Sequence, residues 1–148
     1  MTPAATATAA IAFTLPTTIG AGLETLDVDA SIAGDYAEVV TTNNADTATI
    51  TVDAAPDLAI TVEPPAEYVP GSDAAWGTRV ANVGSQDATG VVATVIVPVD
   101  ADASPAPGWT CTPDTASGST CTYDVGDLDA GASVLIPFPV TTDPAAVD

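Results

Sequence analysis

Histidine and lysine are absent from this chain of 148 residues, and Arg79 is its only basic side chain. Without histidine there is no Ser–His or Cys–His nucleophile pair and no imidazole to bind a metal. Without lysine there is no Schiff base, no phosphate-loop lysine and no Lys–Asn isopeptide cross-link. Because these absences remove the commonest catalytic groups, we expect a protein that is not an enzyme and needs no catalytic cofactor.

Acidic residues dominate the charge, since 20 Asp and Glu against one base give a formal net charge of −19. Such a surface repels nucleic acid and anionic membranes, because binding phosphate needs Lys and Arg. Its simplest role is solubility in salt, where a Debye length of ~8 Å screens self-repulsion. Hydrophobic residues make up 47% of the chain, which is enough for a core, so the charge does not imply disorder.

Long apolar runs are also absent. No stretch approaches the roughly 20 apolar residues of a membrane span, and the N-terminus lacks the basic region of a secretion signal. We therefore expect no membrane insertion within this sequence, and we expect any signal or anchor to lie outside it.

Alternation of apolar and polar residues runs through nearly the whole chain, and no helical pattern competes with it. Turn signals rich in Gly, Pro and Asn separate the alternating runs, which is typical of an all-β antiparallel sandwich. Val91–Val97 is apolar at nearly every position and predicts a central strand. The other predicted strands are Leu26–Ile32, Ala48–Val52, Leu58–Val62, Trp76–Val80 and Val134–Val140.

One of these strands occurs twice. Ala9–Thr18 matches Ala132–Thr141 in its alternating apolar positions and in one proline, which is Pro16 in the first copy and Pro139 in the second. Because 148 residues cannot hold two units of this length, we expect one repeat period plus about one extra strand of a longer array. Pro137 and Pro139 place two missing amide donors on one side of their strand. That strand is therefore predicted to lie at a sheet edge, or to join its sheet only through its other side.

The two cysteines, Cys111 and Cys121, flank a turn marked by Pro-Asp and Ser-Gly. Placing them opposite each other makes the hairpin symmetric, with Trp109 facing Tyr123 and Thr110 facing Thr122. A metal site is the competing interpretation, but two thiols without a third soft ligand do not favour it. We predict a Cys111–Cys121 disulfide, which implies an oxidising compartment.

Several segments resemble the conserved repeat domain of unknown function in bacterial and archaeal surface proteins. They are Pro56–Ile60, Trp76–Ala81, Asn82–Val91, Pro98, Trp109–Cys111, Cys121–Tyr123 and Gly126–Ala132, so the resemblance covers residues 56–142. It implies an immunoglobulin-like sandwich in a long extracellular array, and it brings no catalytic residues. In such repeats a paired-Asn segment belongs to the last strands.

Here that segment, Asn43–Ile50, lies upstream of the first strand. Residues 1–53 are therefore interpreted as the C-terminal strands of one repeat and residues 54–148 as the N-terminal strands of the next. The repeat is then out of phase with the chain ends. The two parts could combine into one permuted sandwich, or the tail of one chain could complete the front of a neighbouring chain.

Carboxylates are the only candidate for metal chemistry. The loop candidates are Asp100, Asp102, Asp124, Asp127 and Asp129. Calcium takes six to eight oxygen ligands, but the chain has no calcium-loop signature. We expect solvating acids with at most weak calcium binding, and no recognisable cleft suggests a glycosidase pair.

These observations together predict a non-catalytic, extracellular structural or assembly module of a repetitive surface protein or fibre. Its expected partners are identical subunits or adjacent repeats, joined head to tail. The alternative is an adhesin-type module for carbohydrate or protein, assisted by calcium. For sugar stacking, however, Trp76 alternates with an apolar face and is expected in the core.

Overall fold

The computed structural model describes residues 6–67, 69, 71–104 and 107–142. Those residues form β-strands and no helix. The strands are β1 (Thr25–Ser31), β2 (Ala45–Thr51), β3 (Leu58–Glu63), β4 (Asp73–Asn82), β5 (Ala88–Ile96), β6 (Ala101–Ala103), β7 (Trp109–Thr112), β8 (Thr120–Leu128) and β9 (Ser133–Thr142). The all-β prediction is confirmed.

The strands pair in three antiparallel sheets. Among the described residues, β1 pairs only with β2. A four-stranded sheet has the order β3-β4-β9-β6, and a three-stranded sheet has the order β5-β8-β7. Each alternating run from Leu26 onward coincides with a strand to within three residues at either end. The ends of the two predicted segments, residues 1–5 and 143–148, lie outside the described residues.

The two larger sheets pack face to face, as the sheets of a β-sandwich do. One core cluster combines Phe138 and Val140 of β9 with the buried Cys121 of β8. A second combines Val80 and Ile136 with buried residues of the other sheet, which are Ala88, Val91, Ala93 and Leu128. Aliphatic side chains therefore supply most of the core, as the low aromatic content requires.

The hairpin β7–β8 has the predicted register. Cys111 lies opposite Cys121, and the pair forms a disulfide. Trp109 lies opposite Tyr123, with their ring centroids 5.4 Å apart. The indole also contacts Phe138 edge-on at 4.9 Å and donates a hydrogen bond to the Pro137 carbonyl at 2.9 Å. The disulfide thus links the two strands of this hairpin, and the contacts of Trp109 fasten the hairpin to β9.

β9 shows how its prolines are accommodated. Residues Ser133 to Pro139 pair with β4 on one side, and β6 joins the other side only at residues 140–142. The carbonyls of Pro137 and Pro139 point away from β4, where the Trp109 indole and the Ser104 amide bond them. The edge-strand alternative is therefore wrong, and the alternative of joining through the other side describes the proline region correctly.

Two further expectations are wrong. Residues 9–18 form no strand, although their pattern matches β9, because no neighbouring strand pairs with them. The run Val91–Val97 falls largely in β5, which lies at the edge of its sheet instead of at its centre. Within the described chain, residues 9–18 have no pairing strand at all, and β5 has a pairing strand on one edge only.

Candidate functional site: an open sandwich side and an unpaired hairpin

The first unusual surface is the inward face of β3. Leu58, Ile60 and Val62 lie opposite Asn82, Val80 and Thr78 of β4, so their side chains point to the same side as these buried residues. They are nevertheless 51%, 53% and 60% exposed. The core cluster around Val80 contains residues of β4, β5, β8 and β9, but none of β3. The opposite sheet therefore ends before it covers β3.

The second is the free edge of β5. Within the described chain, β5 pairs with β8 alone. Its inward residues Val91 and Ala93 are buried, while its outward residues Val92 and Ile96 are 56% and 66% exposed. Apolar residues on both faces are typical of a strand whose two faces are both covered. An unpaired edge of this kind offers its amides and carbonyls to another strand.

These two surfaces adjoin each other. Val91 and Ala93 of β5 pack with Val80 of β4, so β5 lies over β4. A strand added beside β5 would lie about 4.8 Å further out and would face the next strand of the opposite sheet, which is β3. We call the uncovered face of β3 together with the free edge of β5 the open side of the sandwich.

The β1–β2 hairpin is the third unusual element. On one face, Thr49 and Thr47 donate hydrogen bonds of 2.6 Å to the carboxylates of Asp27 and Asp29. On the other face the register brings together Leu26, Val28, Ala30, Ala48 and Ile50. Every residue of β2 is exposed, and Ile50 is 53% exposed. The hairpin is therefore amphipathic, and its apolar face is largely uncovered.

The hairpin is attached to one end of the sandwich, where β3 begins, β4 ends and β5 begins; we call this the Asn82 end. Upstream of the hairpin, Ile19 forms backbone hydrogen bonds with Ser85 and Asp87. The Gln86 side-chain amide donates to the carbonyl of Gly20 at 3.2 Å. Downstream, the Ala55 carbonyl accepts a hydrogen bond from the Ser85 amide at 3.1 Å.

Asn82 organises this attachment and is itself 0% exposed. Its side-chain nitrogen, Nδ2, donates to the carbonyls of Gln86 and Leu128 at 2.8 and 3.0 Å. Its side-chain oxygen accepts from the amides of Asp57 and Gly84, each at 3.1 Å. A Cβ at Gly84 would collide with the backbone of residues 55–57, so only glycine allows this approach. In the sequence, Asn82–Val91 contributed to the family resemblance, which did not reveal this role.

The acidic candidates are dispersed. Asp124 and Asp127 lie within strand β8, so the expectation that they are loop residues is wrong. Asp124 accepts a hydrogen bond from the Gly126 amide of the same strand, and Asp127 accepts one from the Gly90 amide. Asp100 precedes β6, Asp102 lies in it, and Asp129 follows β8. No three Asp, Glu, Cys or His side chains in the described part of the chain are grouped so that they could hold a metal ion. The five acids therefore do not form one site.

The only basic side chain lies on the outer face of the four-stranded sheet. Arg79 Nε and Glu63 Oε1 are 2.8 Å apart in an ion pair that is roughly half exposed. A shallow depression on the same sheet is lined by Glu63, Gly77, Leu135 and Pro137, among others, and has a volume of about 390 Å³. Trp76 also borders it, although this residue packs partly against the core.

Comparison with protein-family models, with curated proteins and with solved structures finds no match to this chain. Over its described residues, the chain has no helix with the length and apolar character needed to cross a membrane.

Proposed function

We propose that this chain is a non-catalytic structural module of an extracellular, repetitive surface protein or fibre, and that copies associate head to tail. The observation that carries this proposal is the presence of two uncovered apolar surfaces in one chain. The sandwich has an open side, and the β1–β2 hairpin has an uncovered apolar face. An isolated two-stranded hairpin is marginally stable in water, so a partner surface would stabilise it.

The strand order supports an immunoglobulin-like sandwich with a repeat that is out of phase with the chain ends. The four-stranded sheet has the order β3-β4-β9-β6, whereas the three-stranded sheet ends at β5. We assign the sandwich to the front half of a repeat and the β1–β2 hairpin to the tail of a repeat.

The chemistry of the chain supports an extracellular location. The Cys111–Cys121 disulfide suits an oxidising compartment. The net charge of −19 suits a salt-exposed surface, where screening reduces repulsion between copies.

Multi-angle light scattering over a wide concentration range, followed by electron microscopy, tests the association. We expect the mean mass to rise with concentration and with added salt, because salt screens the repulsion between copies. Microscopy should show rings or filaments, since head-to-tail contacts close or propagate. A chain that stays monomeric at the highest concentration and salt would contradict the proposed assembly.

A binding module is the second candidate, and the depression beside Glu63 and Leu135 is the observation that favours it. Its ligand would be a carbohydrate or a peptide. Glycan arrays with and without a chelator separate this candidate from the first. Binding that is lost in Leu135→Asp, while self-association is unchanged, would assign the depression to ligand binding.

A further inference from the structure

We propose that the β1–β2 hairpin of one copy adds to the open side of a second copy, with β1 antiparallel to β5. This inference rests on the proposed association of copies and names the two surfaces that form it. The apolar face of the hairpin then covers Leu58, Ile60 and Val62, and its Asp–Thr face remains in solvent.

The dimensions of the two surfaces agree. β1 and β2 each have seven residues, and β3, which they would cover, has six. A strand beside β5 forms backbone hydrogen bonds along its free edge, and the second strand of the hairpin widens the cover. The three-stranded sheet becomes five-stranded, and β5 then has the central place that its apolar composition predicts.

The choice of β1 as the neighbour of β5 follows from its side chains. The inward positions of β1, which are Leu26, Val28 and Ala30, are all apolar. The inward positions of β2 include Asp46, which lies opposite Ala30. The strand next to β5 is covered more fully than the outer strand. Asp46 is therefore tolerated at the loop end of the outer strand, where its carboxylate reaches water, whereas Ile50 lies opposite Leu26 at the other end of the docking face.

The direction of the hairpin follows from the duplicated strand. β9 starts at the Asn82 end, with Ser133 opposite Ala81, and finishes at the far end, with Thr141 opposite Asp73. The segment that resembles β9, residues 9–18, is followed in sequence by β1. By analogy, β1 of the docked hairpin starts at the far end, where β9 finishes. It then runs antiparallel to β5, because β5 begins at the Asn82 end. All strand pairs in the described sheets are likewise antiparallel.

The chain's own hairpin cannot adopt this placement. With β1 antiparallel to β5, β2 would end at the far end, about 20 Å from the Asn82 end at ~3.3 Å per residue. The Ala55 carbonyl is hydrogen-bonded to Ser85 at the Asn82 end. The backbone from Thr51 to Ala55 reaches at most about 14 Å when fully extended. The hairpin must therefore come from another copy, and because donor and acceptor surfaces differ, the contact is heterologous.

Two substitutions remove one surface each. Ile50→Asp places a charge on the apolar face of the hairpin, and Ile60→Asp places one on the open side. Both isoleucines are 53% exposed, so neither change should unfold the chain. Leu135→Asp is the matched control, since Leu135 is 48% exposed on the outer face of β9.

We expect each single variant to associate at least about tenfold more weakly than the wild type, because docking would bury an unpaired carboxylate. Leu135→Asp should associate like the wild type. An equimolar mixture of Ile50→Asp and Ile60→Asp should give a dimer of one copy of each, which cannot grow, because only one donor and one acceptor remain. Sedimentation velocity measures the wild type, the three variants and the mixture.

Amide hydrogen exchange provides a second measurement on the wild type. Amides along the free edge of β5 should become protected as concentration rises, and they should not in Ile50→Asp. If the wild type associates while both variants associate equally well, the docking surfaces are wrong and the proposed function stands. If the wild type is monomeric throughout, the proposed association fails and this inference fails with it; β5 amides protected in that monomer would indicate an intramolecular contact instead.

Discussion

Two segments of this chain have nearly the same alternation of apolar and polar residues, but only one of them is a strand. In β9, Ile136 and Phe138 are 2% and 3% exposed. The corresponding residues of the N-terminal copy, Phe13 and Leu15, are 61% and 43% exposed, and their segment is not a strand. The difference lies in the neighbours, since β9 has β4 beside it and the opposite sheet above it. Strand formation depends on such context more than on local preference.

The same contrast separates the two hairpins of the molecule. β7–β8 is fastened by a disulfide and by the contacts of Trp109 with Tyr123 and Phe138. β1–β2 is held by its backbone ladder and by two threonine–aspartate hydrogen bonds. The half of the chain from β3 to β9 therefore builds a core of its own, whereas the N-terminal part presents apolar residues without one.

The largest expected effect compares the two copies of the strand directly. Ile136→Ala should lower the free energy of unfolding by about 2–5 kcal/mol, because it leaves a cavity in a packed core. Phe13→Ala, at the matching position, should change it by less than about 0.5 kcal/mol in dilute solution. Urea unfolding followed by tryptophan fluorescence reports on the sandwich, where both Trp76 and Trp109 lie. Equal losses in the two variants would mean that residues 9–18 are packed after all.

The second prediction compares the two hairpins. Refolding in reductant should lower the free energy of unfolding by roughly 3 kcal/mol, as the chain-entropy argument gives for a loop with its cysteines 10 residues apart. The fold should persist, because Val80, Ile136 and the other residues of their cluster do not depend on the bond.

Thermal unfolding with and without reductant measures the loss, and amide exchange in β1–β2 is the internal control. That hairpin contains neither Cys111 nor Cys121 and does not pair with their strands, so its exchange rates should not change. A random-coil circular dichroism spectrum in reductant would show that the core is too small to hold the sandwich alone.

Sequence alone predicted the strands and the disulfide register well, because both depend on local patterns. Alternation marks a strand wherever one face is buried, and the symmetric placement of Trp109, Cys111, Cys121 and Tyr123 fixed their pairing. The same reasoning failed for residues 9–18 and for the position of β5. Whether a strand has a neighbour is decided by distant parts of the chain or by another chain, and the local pattern does not contain that information.

The open side and the junction at Asn82 could be predicted only in part. The duplicated strand predicted one repeat period plus about one extra strand. The position of Asn43–Ile50 predicted a repeat out of phase with the chain ends, and hence some unpaired surface. It did not indicate that Leu58, Ile60 and Val62 would be uncovered, since their alternation is that of any half-buried strand. Two of the four hydrogen bonds of Asn82 are local, to Gly84 and Gln86. The other two reach Asp57 and Leu128, which are far away in sequence, so no short motif could reveal this junction.

The smallest expected effect concerns the turn of the fastened hairpin and its dependence on pH. The amide of Ala116 and then the hydroxyl of Ser119 donate hydrogen bonds to Asp114, at 2.9 and 2.8 Å, and hold the pKa of this carboxyl below its ordinary value of 3.8. A carboxyl with a lowered pKa in the folded state stabilises that state above its unfolded pKa. The contribution is lost as the pH falls through the folded pKa.

Asp114→Asn should therefore melt slightly below the wild type near neutral pH, and the difference should shrink as the pH falls below 3.8. The effect should be small, because Asp114 is exposed and water screens its charge. Melting temperatures of both proteins across this pH range measure it, with Asp35→Asn in the loop between β1 and β2 as the control for the general loss of one negative charge. If Asp35→Asn shifts the melting temperature as much as Asp114→Asn does, the effect comes from net charge and not from the turn, because only Asp114 belongs to the hairpin that the core holds in place.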